Sequence, residues 1–242
     1  MSFTVKVKER EIRFSVLFQP IFNITENKIV AMEVLSRVAQ EVNVDIESVL
    51  KEISKDGKSR EFTRALISEV VSMSGLLPND IKYLSLNMTM EDLCCEKLPI
   101  DIQELSSVLS ALGTTLVVEF PENEPYPSPG TELGRVLFRN IKKLKKNGVL
   151  IAIDDYGKGF NVGDAILLDV MPDIVKVDKS IVQQQQQQKN KILWASIKSI
   201  IQNDNLKVVV EGVEDDKQLN FVRDLGVEFC QGFYLGRPHC LQ

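Results

Sequence analysis

The chain is predicted to be an α/β domain built on a parallel sheet or barrel, and three observations support that class. Short apolar runs rich in β-branched residues alternate with segments of helical periodicity along most of its length. Several of these runs end in a carboxylate: Leu116-Val117-Val118-Glu119, Val208-Val209-Val210-Glu211 and, most sharply, Gly148 to Ile153 followed by Asp154-Asp155. At 242 residues the chain suits one large domain, since α/β barrels run to about 250 residues. A ring of such strands gathers the acids on one face.

Composition narrows the possibilities. An apolar content of 44% and a mean hydropathy of −0.04 describe a globular protein with ample core. The net charge of −5 argues against a general DNA, RNA or acidic-membrane surface. No apolar leader opens the chain and no run has the length of a membrane span, so a cytoplasmic location is expected. Cys94, Cys95, Cys230 and Cys240 form no C-x-x-C and are read as reduced. The single histidine, His239, lies near the end of the chain, which leaves little material for a zinc site or a histidine-based triad. Any metal is expected to be oxygen-bound.

Taken in order, residues 1–13 alternate and are strongly charged, as a lead-in or edge strand would, and the main domain is placed at 14–242. Phe14 to Ile21 reads as a strand carrying Gln19, ended by Pro20. A hairpin-like turn at Thr25 to Lys28 leads to Ile29 to Arg37, where Glu33, Leu35 and Arg37 share one parity. Residues 46–57 and 60–76 are helical in pattern. Lys82 to Asn87 is a strand ending in an amide that could equally cap the next helix. A helix at 101–112 precedes the strand Thr114 to Phe120, with Glu122 just beyond Pro121.

The amphipathic segment 131–147 closes on Lys142, Lys143, Lys145 and Lys146 before Asn147-Gly148; the helix dipole accounts for that basic turn without nucleic acid. A short helix at 162–170 follows the aspartate strand, and Ile174 to Asp178 is a further strand interrupted by Lys176, a cation expected to pair with carboxylates. The tract Gln183 to Gln188 opens a helix running to about residue 203 and is given no chemistry. The strand Val208 to Glu211, then Glu214, a helix at 215–225 and Glu228 to Gly236 with Gln231 complete the pattern.

The polar groups at the strand ends are Glu33, Asn87, Glu119, Asp154, Asp155, Lys176, Glu211 and Gln231. In a barrel these ends form the active face. An all-oxygen donor set selects Mg²⁺, Mn²⁺ or Ca²⁺ over zinc, and one divalent ion would leave several acids uncompensated. Two hard ions about 4 Å apart suit phosphodiester hydrolysis, with Arg37 and Lys176 as positive groups for a phosphate. Enolase-like or aldolase chemistry could use similar parts but accounts less well for so many acids.

These motifs together resemble the EAL domain family, bacterial phosphodiesterases of cyclic di-GMP. The resemblance spans about residues 14–240 and rests on Gln19-Pro20-Ile21, Glu33-Val34-Leu35 with Arg37, Asn87, Glu119-x-x-Glu122, Asp154-Asp155-Tyr156-Gly157, Lys176-Val177-Asp178, Glu211-Gly212-Val213-Glu214 and Gln231-Gly232-Phe233. It implies a modified TIM (β/α)8 barrel that hydrolyses cyclic di-GMP to linear pGpG with two Mg²⁺ or Mn²⁺ ions and is inhibited by Ca²⁺. It further implies that Glu33, Asn87, Glu119 and Asp154 hold the first ion, while Asp154 and Asp155 hold the second. Lys176 and Glu211 would orient and deprotonate the attacking water, Glu211 as base. Gln19, Arg37 and Gln231 would meet the substrate, and Glu122 and Glu214 would anchor loops.

A homodimer formed beside the loop after Asp155 is also implied, as is control of motility, adhesion or biofilm. The sequence departs from the family pattern at Val34 (EVL for EAL), Ser36, Pro121, Lys158 and Asn161. With no sensory segment before residue 14, regulation is expected from expression, oligomerisation or a protein partner. The alternative is an inactive EAL-like module that binds cyclic di-GMP or a regulatory protein. Its expected mark, loss of putative ligands, is missing from this sequence.

Overall fold

The computed structural model describes residues 2–39, 46–183, 194–195, 197–200, 202 and 206–241. Its strands are β1 (Ser2–Val7), β2 (Arg10–Asn23), β3 (Lys28–Val38), β4 (Tyr83–Asn87), β5 (Thr115–Phe120), β6 (Leu150–Tyr156), β7 (Ile174–Val177), β8 (Lys207–Val210) and β9 (Phe229–Cys230). Strands β3 to β9 run parallel in chain order, and β2 closes the ring by pairing antiparallel with both β3 and β9. The result is an eight-stranded barrel of modified TIM type, with β1 as a ninth strand outside the ring, antiparallel to β2.

One edge of β2 lies along β3. The other meets three segments in turn: β1 over Arg10 to Ser15, the backbone of His239 at Phe18, and β9 over Phe22 and Asn23. The sole histidine therefore serves through its main chain, exchanging N–H···O bonds of 2.8 and 3.0 Å with Phe18. The expectation that Pro20 ends its strand is corrected, because β2 continues to Asn23. Its ring packs on Gly236, where a Cβ would come within 2.3 Å of Pro20 Cγ. Enclosure on both edges keeps the chain extended past the missing N–H, with a register shift at Ile21/Phe22. The turn that follows is built by Asn23, whose Oδ1 accepts from the amides of Thr25 and Glu26 at 2.9 and 2.8 Å.

The helices are α1 (Ile46–Lys55), α2 (Ser59–Met73), α3 (Met90–Leu93), α4 (Leu98–Asp101), α5 (Gln103–Ala111), α6 (Glu132–Lys146), α7 (Asp164–Val170), α8 (Lys179–Gln183) and α9 (Asp216–Asp224). Residues 194, 195 and 197–200 are helical as well, but Gln184 to Gln188 lie outside the described residues. Helix α6 starts on Thr131, whose hydroxyl accepts from the Gly134 amide at 3.0 Å. All four cysteines are free thiols.

Strand alternation sorts the core into two parts. Outward residues such as Val34, Leu86, Val118, Ile153, Val175 and Val210 join the helices in the main apolar cluster. Inward residues Ile21, Ala31, Val117, Ala152, Ile174 and Val209 form a separate apolar plug inside the barrel. Both faces are buried, which is why these strands read as continuous apolar runs. Outside the ring, Phe3 stacks on Phe14 and both meet Phe62 edge to face, at centroid distances of 5.0 to 5.3 Å, fastening the β1–β2 hairpin to α2.

Candidate active site at the carboxyl end of the barrel

Two residues further along each strand, the inward positions change from apolar to polar. Ala31 gives way to Glu33, Val117 to Glu119, Ala152 to Asp154, Ile174 to Lys176, Val209 to Glu211 and Phe229 to Gln231. Parallel register sets them in a staggered ring, with Glu33 opposite Ser85 on β4, Asn87 opposite Glu119 on β5, Glu119 opposite Ala152 on β6 and Lys176 opposite Val209 on β8.

Lys176 is the centre of the cluster. It is 2% exposed, and its Nζ lies 2.8 Å from Glu119 Oε2, 2.9 Å from Asp154 Oδ1, 2.9 Å from Glu211 Oε1 and 3.5 Å from Glu33 Oε2. Burial works to discharge this ammonium, but the surrounding acids outweigh it and hold its pKa well above the usual lysine value. Glu33 is clamped from both sides. Asn87 Nδ2 donates to its Oε1 at 2.8 Å and Gln231 Nε2 to its Oε2 at 2.7 Å. Burial would raise this carboxyl, yet Lys176 and the two amides together hold it below its ordinary value. Asn87 is thus not the helix cap that its local sequence also allowed; Thr89 caps α3 by accepting from the Asp92 amide.

Other acids are short of positive charge. Burial, and then Glu33 and Asp154 alongside, push Glu119 up to about 8 despite Lys176. Its Oε1 is buried without a hydrogen-bond partner. Burial likewise raises Glu211 well above the carboxylate range against the pull of Lys176, and burial with neighbouring Asp154 and Asp178 raises Asp155 to about 6. Four carboxylates around the Lys176 ammonium, with an orphaned acid oxygen among them and Asp155 alongside, form a donor set that fits hard divalent cations.

Adjacent residues on a regular strand point to opposite faces, so Asp154 and Asp155 should diverge. They do not. Strand β6 is irregular between Ile153 and Tyr156, and Asp155 takes a left-handed φ of +45°. This bulge turns both side chains to one side, and one oxygen each of Asp154, Asp155 and Glu211 falls within 4.8 Å of the others. A non-glycine residue in that region costs on the order of 1 kcal/mol or more, a strain that persists where surrounding structure enforces it.

The enforcing structure is the loop after Asp155. Asn161 is fully buried, and its Nδ2 donates to the carbonyls of Asp154 at 2.6 Å and Phe120 at 3.2 Å, while its Oδ1 accepts from Tyr126 Oη at 2.8 Å. Gly159 (φ +50°) passes so close to β5 that a Cβ would sit 2.0 Å from the Glu122 carbonyl oxygen, which accepts from the Phe160 amide at 2.7 Å. Glu122 thus meets the loop through its backbone. The partly exposed Lys158 side chain turns toward the acids. It pairs with Asp178 Oδ2 at 2.7 Å and approaches Asp155 Oδ2 at 3.6 Å.

The remaining candidates lie further out. Gln19 is opposite Glu33 in register, and its Nε2 donates to the Gly236 carbonyl at 3.2 Å. Arg37 is exposed on the rim, donating to its neighbour's carbonyl at 2.8 Å, and Glu214 is exposed with its amide on Gln218. Asn161 and Asp178 were not assigned roles by sequence reasoning. Asp178 closes the Lys176-Val177-Asp178 motif and Asn161 departs from the family pattern, but neither signal says what the side chain holds.

With barrel, register and acid cluster in place, the chain belongs to the EAL domain family, whose sequence profile matches residues 6–238. It is 27% identical over 220 residues to the probable cyclic di-GMP phosphodiesterase PdeB of Escherichia coli K12, covering 89% of this chain and 41% of that one. The standalone EAL protein of Vibrio cholerae O395, solved bound to c-di-GMP, superposes with a TM-score of 0.75 at 23% identity, covering 95% and 93% of the two chains. The FimX EAL domain of Pseudomonas aeruginosa, also bound to c-di-GMP, gives 0.75 at 22% identity, covering 95% and 92%. The chain spans less than half the length of the first curated relatives it matches. Among the described residues no helix is long and apolar enough to cross a membrane.

Proposed function

We propose that this domain is a metal-dependent phosphodiesterase that hydrolyses cyclic di-GMP to linear pGpG. The observation that carries this reading is the ring of Glu33, Asn87, Glu119, Asp154 and Glu211 gathered around Lys176 at one end of the barrel, short of positive charge. Membership of a family whose relatives carry cyclic di-GMP phosphodiesterase names supports the substrate.

In this reading Glu33, Asn87, Glu119 and Asp154 would hold a first Mg²⁺ or Mn²⁺, and Asp154 and Asp155 would hold a second. The bound ions supply Lewis acidity toward the phosphodiester and compensate the acids. Glu211 would accept the proton of the attacking water, its Oε1 held 2.9 Å from the Lys176 ammonium and its carboxylate beside Asp154 and Asp155. Lys176 fixes the orientation of Glu211, Asp154 and Glu119 and carries positive charge close to the reacting phosphate. Gln231 and Asn87 keep Glu33 ionised and aimed inward, while Gln19 and Arg37 line the way in for substrate.

Purified protein incubated with cyclic di-GMP and Mg²⁺ or Mn²⁺ should yield pGpG on chromatography, and Ca²⁺ should suppress it because its larger, looser shell positions water poorly. Full turnover after exhaustive chelation would overturn the metal part of this reading. Binding of cyclic di-GMP without any product would favour a receptor instead.

A further inference from the structure

Lys158 occupies a position inside the acid cluster that the phosphodiesterase reading does not use. Its ammonium lies 2.7 Å from Asp178 Oδ2 and 3.6 Å from Asp155 Oδ2. Asp178 is itself fixed. It is 1% exposed, and its Oδ1 accepts from both the amide and the hydroxyl of Ser180 at the start of α8. The lysine's backbone is held as firmly. Its amide donates to the Asp155 carbonyl at 3.0 Å, its carbonyl accepts from the Asn161 amide at 2.9 Å, and the Gly157 amide donates to the Asn161 carbonyl at 2.8 Å. Withdrawing the ammonium into solvent would leave a buried aspartate without its cation, which is costly.

Asp155 is the acid that the two-ion arrangement assigns to the second position alone, facing Asp154 and Glu211. A fixed positive charge 3.6 Å from that carboxylate repels another cation brought to the same oxygens. The first position lies around Glu33, Asn87 and Glu119, and the ion pairs of Lys158 are with Asp155 and Asp178 instead.

We propose that Lys158 is a tethered cation at the second metal position, so that the second divalent ion is held far more weakly than the first. Occupancy of the second position then follows the free metal concentration while the first stays filled. The inference rests on the phosphodiesterase reading of the metal centre and adds a residue that grades its two halves.

The test is metal binding without substrate. Manganese titrations of the intact chain, followed by calorimetry and by electron paramagnetic resonance of bound Mn²⁺, would compare wild type with Lys158→Met and Lys158→Arg. The expectation is one tight and one weak ion in wild type, a second ion tightened roughly 10- to 100-fold in Lys158→Met, and wild-type behaviour in Lys158→Arg. The double variant Lys158→Met/Asp178→Asn, which removes the buried charge left unpaired, should tighten the second ion likewise and guards against misfolding. A second ion bound no tighter in Lys158→Met and in the double variant, or Arg and Met variants that behave alike, would overturn the role of Lys158 while leaving the first ion and the phosphodiesterase reading standing. Failure of every variant and the wild type to bind even one Mn²⁺ would overturn the metal centre, and this inference with it.

Discussion

The barrel lumen holds two layers made by the same strands, one alternation step apart. In the lower layer Ala31, Val117, Ala152, Ile174 and Val209 pack together with Ile21 into one apolar cluster. In the upper layer Glu33, Glu119, Asp154, Lys176 and Glu211 crowd within ion-pairing distance. Each upper-layer residue lies two positions along the chain from a lower-layer one, so position along the strand decides what each can do. The lower layer excludes water and fixes the strands. The upper layer is costly to desolvate and gains little by itself, because a buried cluster of like charges is a poor source of stability. Its presence at a net cost points to work on a ligand, and the plug beneath supplies the rigidity that work needs.

The sharpest way to break this division is Lys176→Met, which leaves the upper acids without their ammonium. Removing one partner of a buried ion pair typically costs about 3–5 kcal/mol, so a melting curve in chelator should show severe destabilisation. Added Mn²⁺ should recover much of it, while turnover stays lost. A variant as stable as wild type in chelator would mean that the acids had simply taken up protons.

Glu211→Gln separates chemistry from architecture. It should lower turnover by roughly 10²- to 10⁴-fold with cyclic di-GMP binding retained, measured by single-turnover product formation beside calorimetry. Wild-type rates would move the role of base to another group, Lys176 first.

The lower layer answers to the opposite variant. Ile174→Ala should cost about 2–5 kcal/mol through the cavity it leaves, read from urea denaturation, while the folded fraction keeps near-normal turnover. Lost turnover at unchanged stability would merge the two layers into one functional unit.

The smallest effect is expected from Glu122→Ala. Because the Glu122 carbonyl, not its carboxylate, receives the Phe160 amide, the change should stay within about 0.5 kcal/mol, with the metal requirement of turnover unchanged. A marked rise in the metal concentration for half activity would restore the carboxylate as the loop's anchor.

Much of the upper layer was legible in the sequence because an acid or lysine in a β-branched run is a local anomaly. Strand period 2 then says which way it points. Glu119, Lys176 and Glu211 were readable on that ground alone. Asn87 was ambiguous, since an amide before Thr89 suits a cap as well as a site. Only Glu33, 54 residues earlier in sequence, decides between them. The bulge at Asp155 had no glycine or proline of its own to announce it, and β2 ran on past a proline that local rules read as a stop. The nearer partner of Lys158 was hidden for the same reason: Asp178 reaches it through the barrel's fold, 20 residues along the chain, which no window of neighbouring residues contains.

The staple at Asn161 has a consequence for how the loop moves. Three left-handed residues in a row of five, Asp155, Gly157 and Gly159, would ordinarily mark a stretch that opens many times for each global unfolding event. Here the Phe160 ring is half exposed, yet its amide is bonded to Glu122, and the side chain next to it bridges the ends of β5 and β6. In a deuterium-labelling experiment the Phe160 amide should therefore exchange on the slow timescale of the barrel strands, even though its side chain lies among the most accessible aromatics of the molecule.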